Sequence, residues 1–159
     1  VVIDLGAAPG GWSQVAAKLV GTRGLVISVD IIPMVSLQNV IFIEGDIALR
    51  TTQARVIATL KKHKRTKADV IISDIAPKLS GNRTIDNARA LELWMHALQF
   101  ATLALKPGGA MIIKVFQGDA CQYFLAKVDS IFEFWKLYRP EATRMRSAEI
   151  YMIAKGFKP

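Results

Sequence analysis

The sequence predicts an α/β domain: a mostly parallel seven-stranded sheet with an antiparallel last strand and helices on both faces. Three observations predict it. Short strand-like apolar runs alternate with longer helix-like ones along the chain. The strand runs are near-continuous Val, Ile and Leu, as in strands covered on both faces, and not the apolar–polar alternation of a half-solvated sheet. The length of 159 residues is one domain's worth, enough for a single core that buries ~70% of the surface the unfolded chain exposes. Residues 1–159 are therefore expected to form one domain.

Taken in order, Val1 to Leu5 (VVIDL) is a buried-strand run that begins abruptly. With no initiator Met, residues are expected to have been lost upstream. Gly6 to Gly11 forms a turn, and Trp12 to Val20 reads as a helix closed by Gly21 and Gly24. Leu25 to Asp30 (LVISVD) and Val40 to Glu44 are the second and third strands, and Thr51 or Thr52 can cap a helix running to Lys62. Asp69 to Asp74 (DVIISD) is the fourth strand. From Thr84 to Leu105, the residues Leu91, Met95, Leu98, Thr102 and Leu105 recur at helical steps and should lie on the sheet. Pro107-Gly108-Gly109 should stop that helix, with Ala110 to Phe116 (AMIIKVF) returning as the fifth strand. A helix near Cys121 to Ile131 precedes a final antiparallel pair, Phe134 to Tyr138 and Ile150 to Ala154.

Composition narrows the function. Hydrophobic residues make up 52% and charged residues 21%, the balance of a folded globular chain. A net charge of +8 favours an anionic partner, nucleic acid or an acidic membrane surface. No apolar run approaches the ~20 residues that span a bilayer, and no signal-peptide pattern opens the chain. The one cysteine, Cys121, cannot form an internal disulfide, which suits a reducing compartment. With two histidines and one cysteine, an ordinary structural zinc site is not expected, and metal-centred or protease-like chemistry is disfavoured.

In open sheets of this kind, ligands sit beyond the carboxyl ends of the strands. There the first strand ends in Asp4-Leu5-Gly6-Ala7-Ala8-Pro9-Gly10-Gly11, the second in Asp30 and the fourth in Asp74, while Glu44-Gly45-Asp46 follows the third. Small residues let the first loop approach a ligand closely and aim helix amides at it. The spacing is not G-x-G-x-x-G, so the dinucleotide fingerprint fails. An acid at the end of the second strand, Asp30, stands where such sheets grip a ribose diol. A ring of acids disfavours a phosphate-rich ligand and favours a cation that carries a ribose. S-adenosylmethionine meets both demands.

Lys114 is the most informative residue. A charge inside AMIIKVF, in a strand covered on both faces, costs several kcal/mol unless it is paired or neutralised. Asp74 ends the neighbouring strand and Glu149 opens the last one, so both can approach Lys114 at one edge. A lysine between carboxylates beside a methyl donor suits a proton acceptor, or an orienter, for a hydroxyl nucleophile.

DLGAAPGGWSQ, DIIPM at Asp30, EGDI around Asp46, SDIAPKLSG, LKPGGAMIIKVFQG and RSAEIYMIAKG together resemble the FtsJ/RrmJ family of RNA ribose 2′-O-methyltransferases. The likeness runs over nearly the whole chain in consistent order and is nearest to the members acting on large-subunit ribosomal RNA. It implies a Rossmann-like S-adenosylmethionine-dependent methyltransferase fold. It also implies a catalytic set of Lys-Asp-Lys-Glu, whose last three members match Asp74, Lys114 and Glu149. The first lysine lies upstream of the glycine-rich motif in the family, before this chain begins. For the cofactor, the resemblance implies the loop Gly6, Ala7, Pro9, Gly10, Gly11 and Trp12. It adds Asp30 at the ribose, Asp46 near the adenine amino group and Asp74 beside the reacting end. The implied reaction is attack by a ribose 2′-hydroxyl on the sulfonium methyl, leaving S-adenosylhomocysteine, with no metal required. The partner so implied is RNA, the molecule a monomer, and the location cytoplasmic or, alternatively, mitochondrial.

Topology sorts the basic residues. Lys61-Lys62-His63-Lys64-Arg65, with Lys67, ends a helix that feeds the fourth strand, and so lies at the edge opposite the site. Lys78 and Arg83 follow the fourth strand, and Arg139, Arg144 and Arg146 precede Glu149; these are the expected phosphate contacts. The alternatives are a non-catalytic RNA-binding or ribosome-assembly module, a tRNA 2′-O-methyltransferase, and a nicotinamide-dependent dehydrogenase. The last is disfavoured by the missing glycine fingerprint and the lack of a Tyr-x-x-x-Lys pair.

Overall fold

Alternation along each strand decides which side chains enter the main core and which face the site. A computed structural model describes residues 1–140 and 148–159. In chain order it contains β1 (Val2–Leu5), α1 (Gly11–Val20), β2 (Val26–Asp30), β3 (Val40–Glu44), α2 (Arg50–Lys62) and β4 (Ala68–Ser73). These are followed by α3 (Arg83–Ala104), β5 (Leu105–Phe116), α4 (Asp119–Ile131), β6 (Phe132–Tyr138) and β7 (Glu149–Phe157). The strands form one seven-stranded sheet in the order β3-β2-β1-β4-β5-β7-β6. β1 to β5 pair in parallel, and β7 runs antiparallel to both its neighbours. The predicted architecture therefore holds.

Ile3 and Leu5 of β1, Ile27 and Val29 of β2, Ile71 of β4, and Met111, Ile113 and Val115 of β5 point to one face and are buried there. They pack with Val56 and Leu60 of α2, Trp94 and Ala101 of α3, and Phe124 and Val128 of α4. The intervening residues face the other way, towards α1. On that side Asp4, Ser28 and Lys114 are buried, and Ile72, Ile112 and Tyr151 are half-buried. Among the described residues, no helix is long and apolar enough to cross a membrane.

Three local expectations are corrected. α2 begins at Arg50 with Leu49 as its N-cap and no side-chain cap, so neither Thr51 nor Thr52 caps it. Thr52 is instead buried against Gly45, where a Cβ would lie 2.6 Å from its Oγ1. α3 buries Ala90, Trp94, Ala97, Leu98, Phe100, Ala101 and Ala104, whereas Thr102 is exposed and Leu91 and Met95 are half-buried. Small alanines let the helix approach the sheet closely, so the stripe of larger residues is displaced from the contact line. The strand begins at Leu105 and not Ala110, because Leu105 pairs with Ala68 before a register shift around Pro107-Gly108-Gly109.

Candidate active site

The sheet order reverses between β1 and β4: the chain leaves β1 for β2 and β3 on one side and returns to β4 on the other. Crevices form at such a point, and the polar residues of the first and fourth strands end there. The turn after β1 is shaped by two close contacts. Gly6 has φ +73, and a Cβ on it would lie 2.8 Å from Ile75; Gly10, at φ +116, would meet Leu37 at 2.9 Å. Ala7 is buried, its amide donating to the Val29 carbonyl, while Pro9 and Gly11 are exposed. The loop therefore hugs the neighbouring strand and presents open backbone at the start of α1.

Asp30 stands at the end of β2, as expected. Its Oδ2 accepts from the Ala8 amide at 2.9 Å and its Oδ1 from the Ile32 amide at 2.8 Å. Each oxygen keeps a second lone pair for a ligand hydroxyl. Asp46 is exposed in the next turn, with Oδ1 accepting from the Ala48 amide at 2.9 Å. The two are adjacent because the Gly45 amide donates to the Asp30 carbonyl. Beside them Ile31 and Ile32 are 66% and 59% exposed. Two aliphatic side chains in water next to a carboxylate with free lone pairs make a surface suited to a flat apolar ring.

Lys114 is 8% exposed. Its Nζ lies 2.8 Å from Asp74 Oδ1 and 3.9 Å from Glu149 Oε1, so the amine points at the acids and away from bulk water. Alternation explains the direction. Met111, Ile113 and Val115 take the core face, which sends Ile112 and Lys114 to the α1 side. Insertion of β7 beside β5 then places Phe116 opposite Glu149, two residues along from Lys114 and on the same face.

Two features escaped the sequence reading. Tyr151 sits directly across from Lys114 and packs against Trp12, ring centroids 5.5 Å apart. Burial, followed by the negative charge of Asp74, pushes its phenol up. Period-two spacing from Glu149 was the available signal. The second is a buried chain of hydroxyls: Ser13 Oγ donates to Asp4 Oδ2 at 2.6 Å and lies 2.7 Å from Ser28 Oγ. Burial, with help from Asp74 and Asp30 and against the Ser13 hydrogen bond, pushes Asp4 up to about 6. Asp4 Oδ1 is buried and, among the described residues, has no hydrogen-bond partner.

Lys78 and Arg83 are exposed after β4, and Arg139 is exposed past the end of β6. Because β6 runs parallel to β5, all three open on the carboxyl edge. Arg144 and Arg146 lie outside the described residues. The run from Lys61 to Lys67 is exposed at the opposite edge. Among the described residues, no group of three metal-ligating side chains converges.

The family model for FtsJ-like methyltransferase matches residues 1–157. The chain belongs to this family. Ribosomal RNA large subunit methyltransferase E of Archaeoglobus fulgidus is 46% identical over 158 residues, covering 99% of this chain and 78% of its relative. The protein of that description from Stutzerimonas stutzeri is 44% identical over 158 residues, covering 99% and 75%. In three dimensions this FtsJ-like chain is similar to a protein from Plasmodium falciparum assigned as a ribosomal RNA methyltransferase. The TM-score is 0.84 at 25% identity, over 98% of this chain and 85% of the other.

Proposed function

We propose that this protein transfers the methyl group of S-adenosylmethionine to a ribose 2′-hydroxyl of large-subunit ribosomal RNA. The observation that carries this reading is Lys114, an amine of β5 buried between Asp74 and Glu149 at the carboxyl edge of the sheet. Membership of the FtsJ-like family supports methyl transfer, and relatives named ribosomal RNA large subunit methyltransferase E support the class of RNA.

The residues present fit the cofactor. Gly6, Ala7, Pro9, Gly10, Gly11 and Trp12 line the methionyl side, where the buried Asp4 carboxylate adds negative field for a cation. Asp30 takes the ribose diol, Ile31 and Ile32 flank the base, Asp46 stands near its amino group, and Asp74 lies by the reacting end. When bound, S-adenosylmethionine supplies a methyl group already made electrophilic by its sulfonium. The protein's own work is then alignment and handling of one proton. Asp74 and Glu149 fix the position of Lys114 Nζ, which as the ammonium orients the 2′-hydroxyl. It accepts the hydroxyl proton as the oxygen attacks only after giving up its own to solvent. Lys78, Arg83 and Arg139 supply phosphate contacts along the edge, and the chain's +8 charge favours the same partner.

The test is transfer of a labelled methyl group from S-adenosylmethionine to large-subunit ribosomal RNA by the full-length protein. Product mapped as alkali-resistant 2′-O-methyl nucleotide, with Lys114→Ala lowering the rate about 10²–10⁴-fold, is the expected result. Methyl groups found on a base, or a Lys114→Ala rate close to wild type, would overturn the assignment.

A further inference from the structure

The loop between Asp74 and α3 is tied shut by one carboxylate that the reaction itself does not use. Asp86 Oδ1 accepts from the Ser80 amide and the Ser80 hydroxyl, both at 2.7 Å, and Oδ2 accepts from the Gly81 amide at 3.2 Å. Ser80 Oγ accepts from the Asn82 amide at 3.2 Å. Asn82 Oδ1 in turn accepts from the Thr84 and Ile85 amides at 3.1 and 3.3 Å, capping α3. Ser80, Gly81 and Asn82 are all exposed, and Gly81 has φ +84. Left to itself, so short and polar a stretch would sample many conformations. The other end of the loop is anchored at the site: the Asp74 amide donates to the Leu5 carbonyl, and Ile75 fills the space against Gly6. Between the two anchors stand Lys78 and Leu79, both exposed, Leu79 to 69%.

We infer that Asp86 is a positioning residue for RNA: it closes the 75–82 loop so that Lys78 and Leu79 meet the substrate strand beside Asp74. This rests on the functional reading above. The carboxylate sits close to where a polyanion must pass, which would be a liability if it faced the substrate. Its three donors engage both oxygens and hold its pKa below the ordinary carboxylate range, the Ser80 amide contributing most. A group kept for helix stability alone needs only to cap α3, and Asn82 already does that.

Charge and loop order pull in opposite directions, which makes the inference testable. Asp86→Asn removes one negative charge near the RNA path, and on charge alone binding should tighten. If loop closure is what matters, binding should weaken, because Nδ2 cannot accept from the Gly81 amide. In the full-length protein we expect Asp86→Asn to weaken affinity for a large-subunit ribosomal RNA transcript on the order of 10-fold. S-adenosylhomocysteine affinity and the far-ultraviolet circular dichroism should stay as in wild type. Ser80→Ala leaves every charge in place and removes only the hydroxyl, so it should give a smaller loss in the same direction. Hydrogen exchange at residues 80–82 reports whether the loop has opened in either variant. Faster exchange with RNA affinity unchanged or tighter overturns the inference while leaving the methyltransferase reading intact. Wild-type protein that neither binds nor methylates RNA overturns both.

Discussion

The two edges of the sheet handle their carboxylates in opposite ways. At the amino edge, the half-exposed Asp69 is paired with the Lys106 ammonium. The Lys106 hydrogen bond, the largest cause, holds its carboxyl below the usual carboxylate range. At the carboxyl edge, Asp4 has a serine hydroxyl for a partner and two further acids for neighbours, and it is pushed up to about 6. The first arrangement favours the folded chain. The second works against it and leaves a buried carboxylate on the α1 side of the sheet. Lys114 lies at the same edge, yet its amine is drawn to Asp74 and Glu149 and so does not neutralise Asp4.

Asp4→Asn should break this contrast most visibly. An acid whose folded pKa exceeds its unfolded value holds its proton more tightly when folded. That advantage is complete below about pH 4 and is lost as pH rises through about 6. Above that range, the buried anion costs the fold about 3 kcal/mol relative to a neutral group. Chemical denaturation should therefore show Asp4→Asn more stable than wild type at pH 8, by up to that amount, with the gap closing toward pH 4. A gap independent of pH would mean that Asp4 is not the titrating group. The same variant should bind S-adenosylmethionine less well, so that stability and function move in opposite directions.

A smaller effect is expected at Asp30. Removing both charged hydrogen bonds with Asp30→Ala should raise the S-adenosylhomocysteine Kd at least about 10-fold, read by calorimetric titration. A Kd within twofold of wild type would remove Asp30 from the binding site. The smallest effect belongs to the amino edge. Lys106 and Asp69 are each about half exposed, so screening limits Lys106→Met to a loss below ~1 kcal/mol at neutral pH. Because Asp69 is depressed, its contribution is present above about pH 4 and disappears as pH falls towards 2. The difference between Lys106→Met and wild type should vanish in high salt. Its persistence there would show that packing of the lysine stem, not charge, joins the strands.

The strands were legible because a strand buried on both faces leaves a dense aliphatic signature, and VVIDL, LVISVD, DVIISD and AMIIKVF all carry it. Lys114 was legible for the converse reason: an ammonium in such a run must find an acid, and Asp74 and Glu149 were the candidates at its end of the sheet. α3 was harder. Leu91, Met95 and Thr102 matched a helical stripe, but close approach to the sheet selected alanines and Trp94. Thr51 and Thr52 looked like caps because capping is a local preference, whereas the packing of Thr52 against Gly45 is a contact between separate elements.

The sequence by itself determined the alternation of elements, the polarity of the carboxyl edge and the family, because local periodicity and motif spacing are written along the chain. Only the tertiary structure decided that β7 enters between β5 and β6, bringing Glu149 and Tyr151 to Lys114, and that Ser13 and Ser28 close over Asp4. Those pairings depend on which strands become neighbours and which face each residue takes. The free energy of a charge is set by the groups and the water around it after folding, not by its neighbours in sequence.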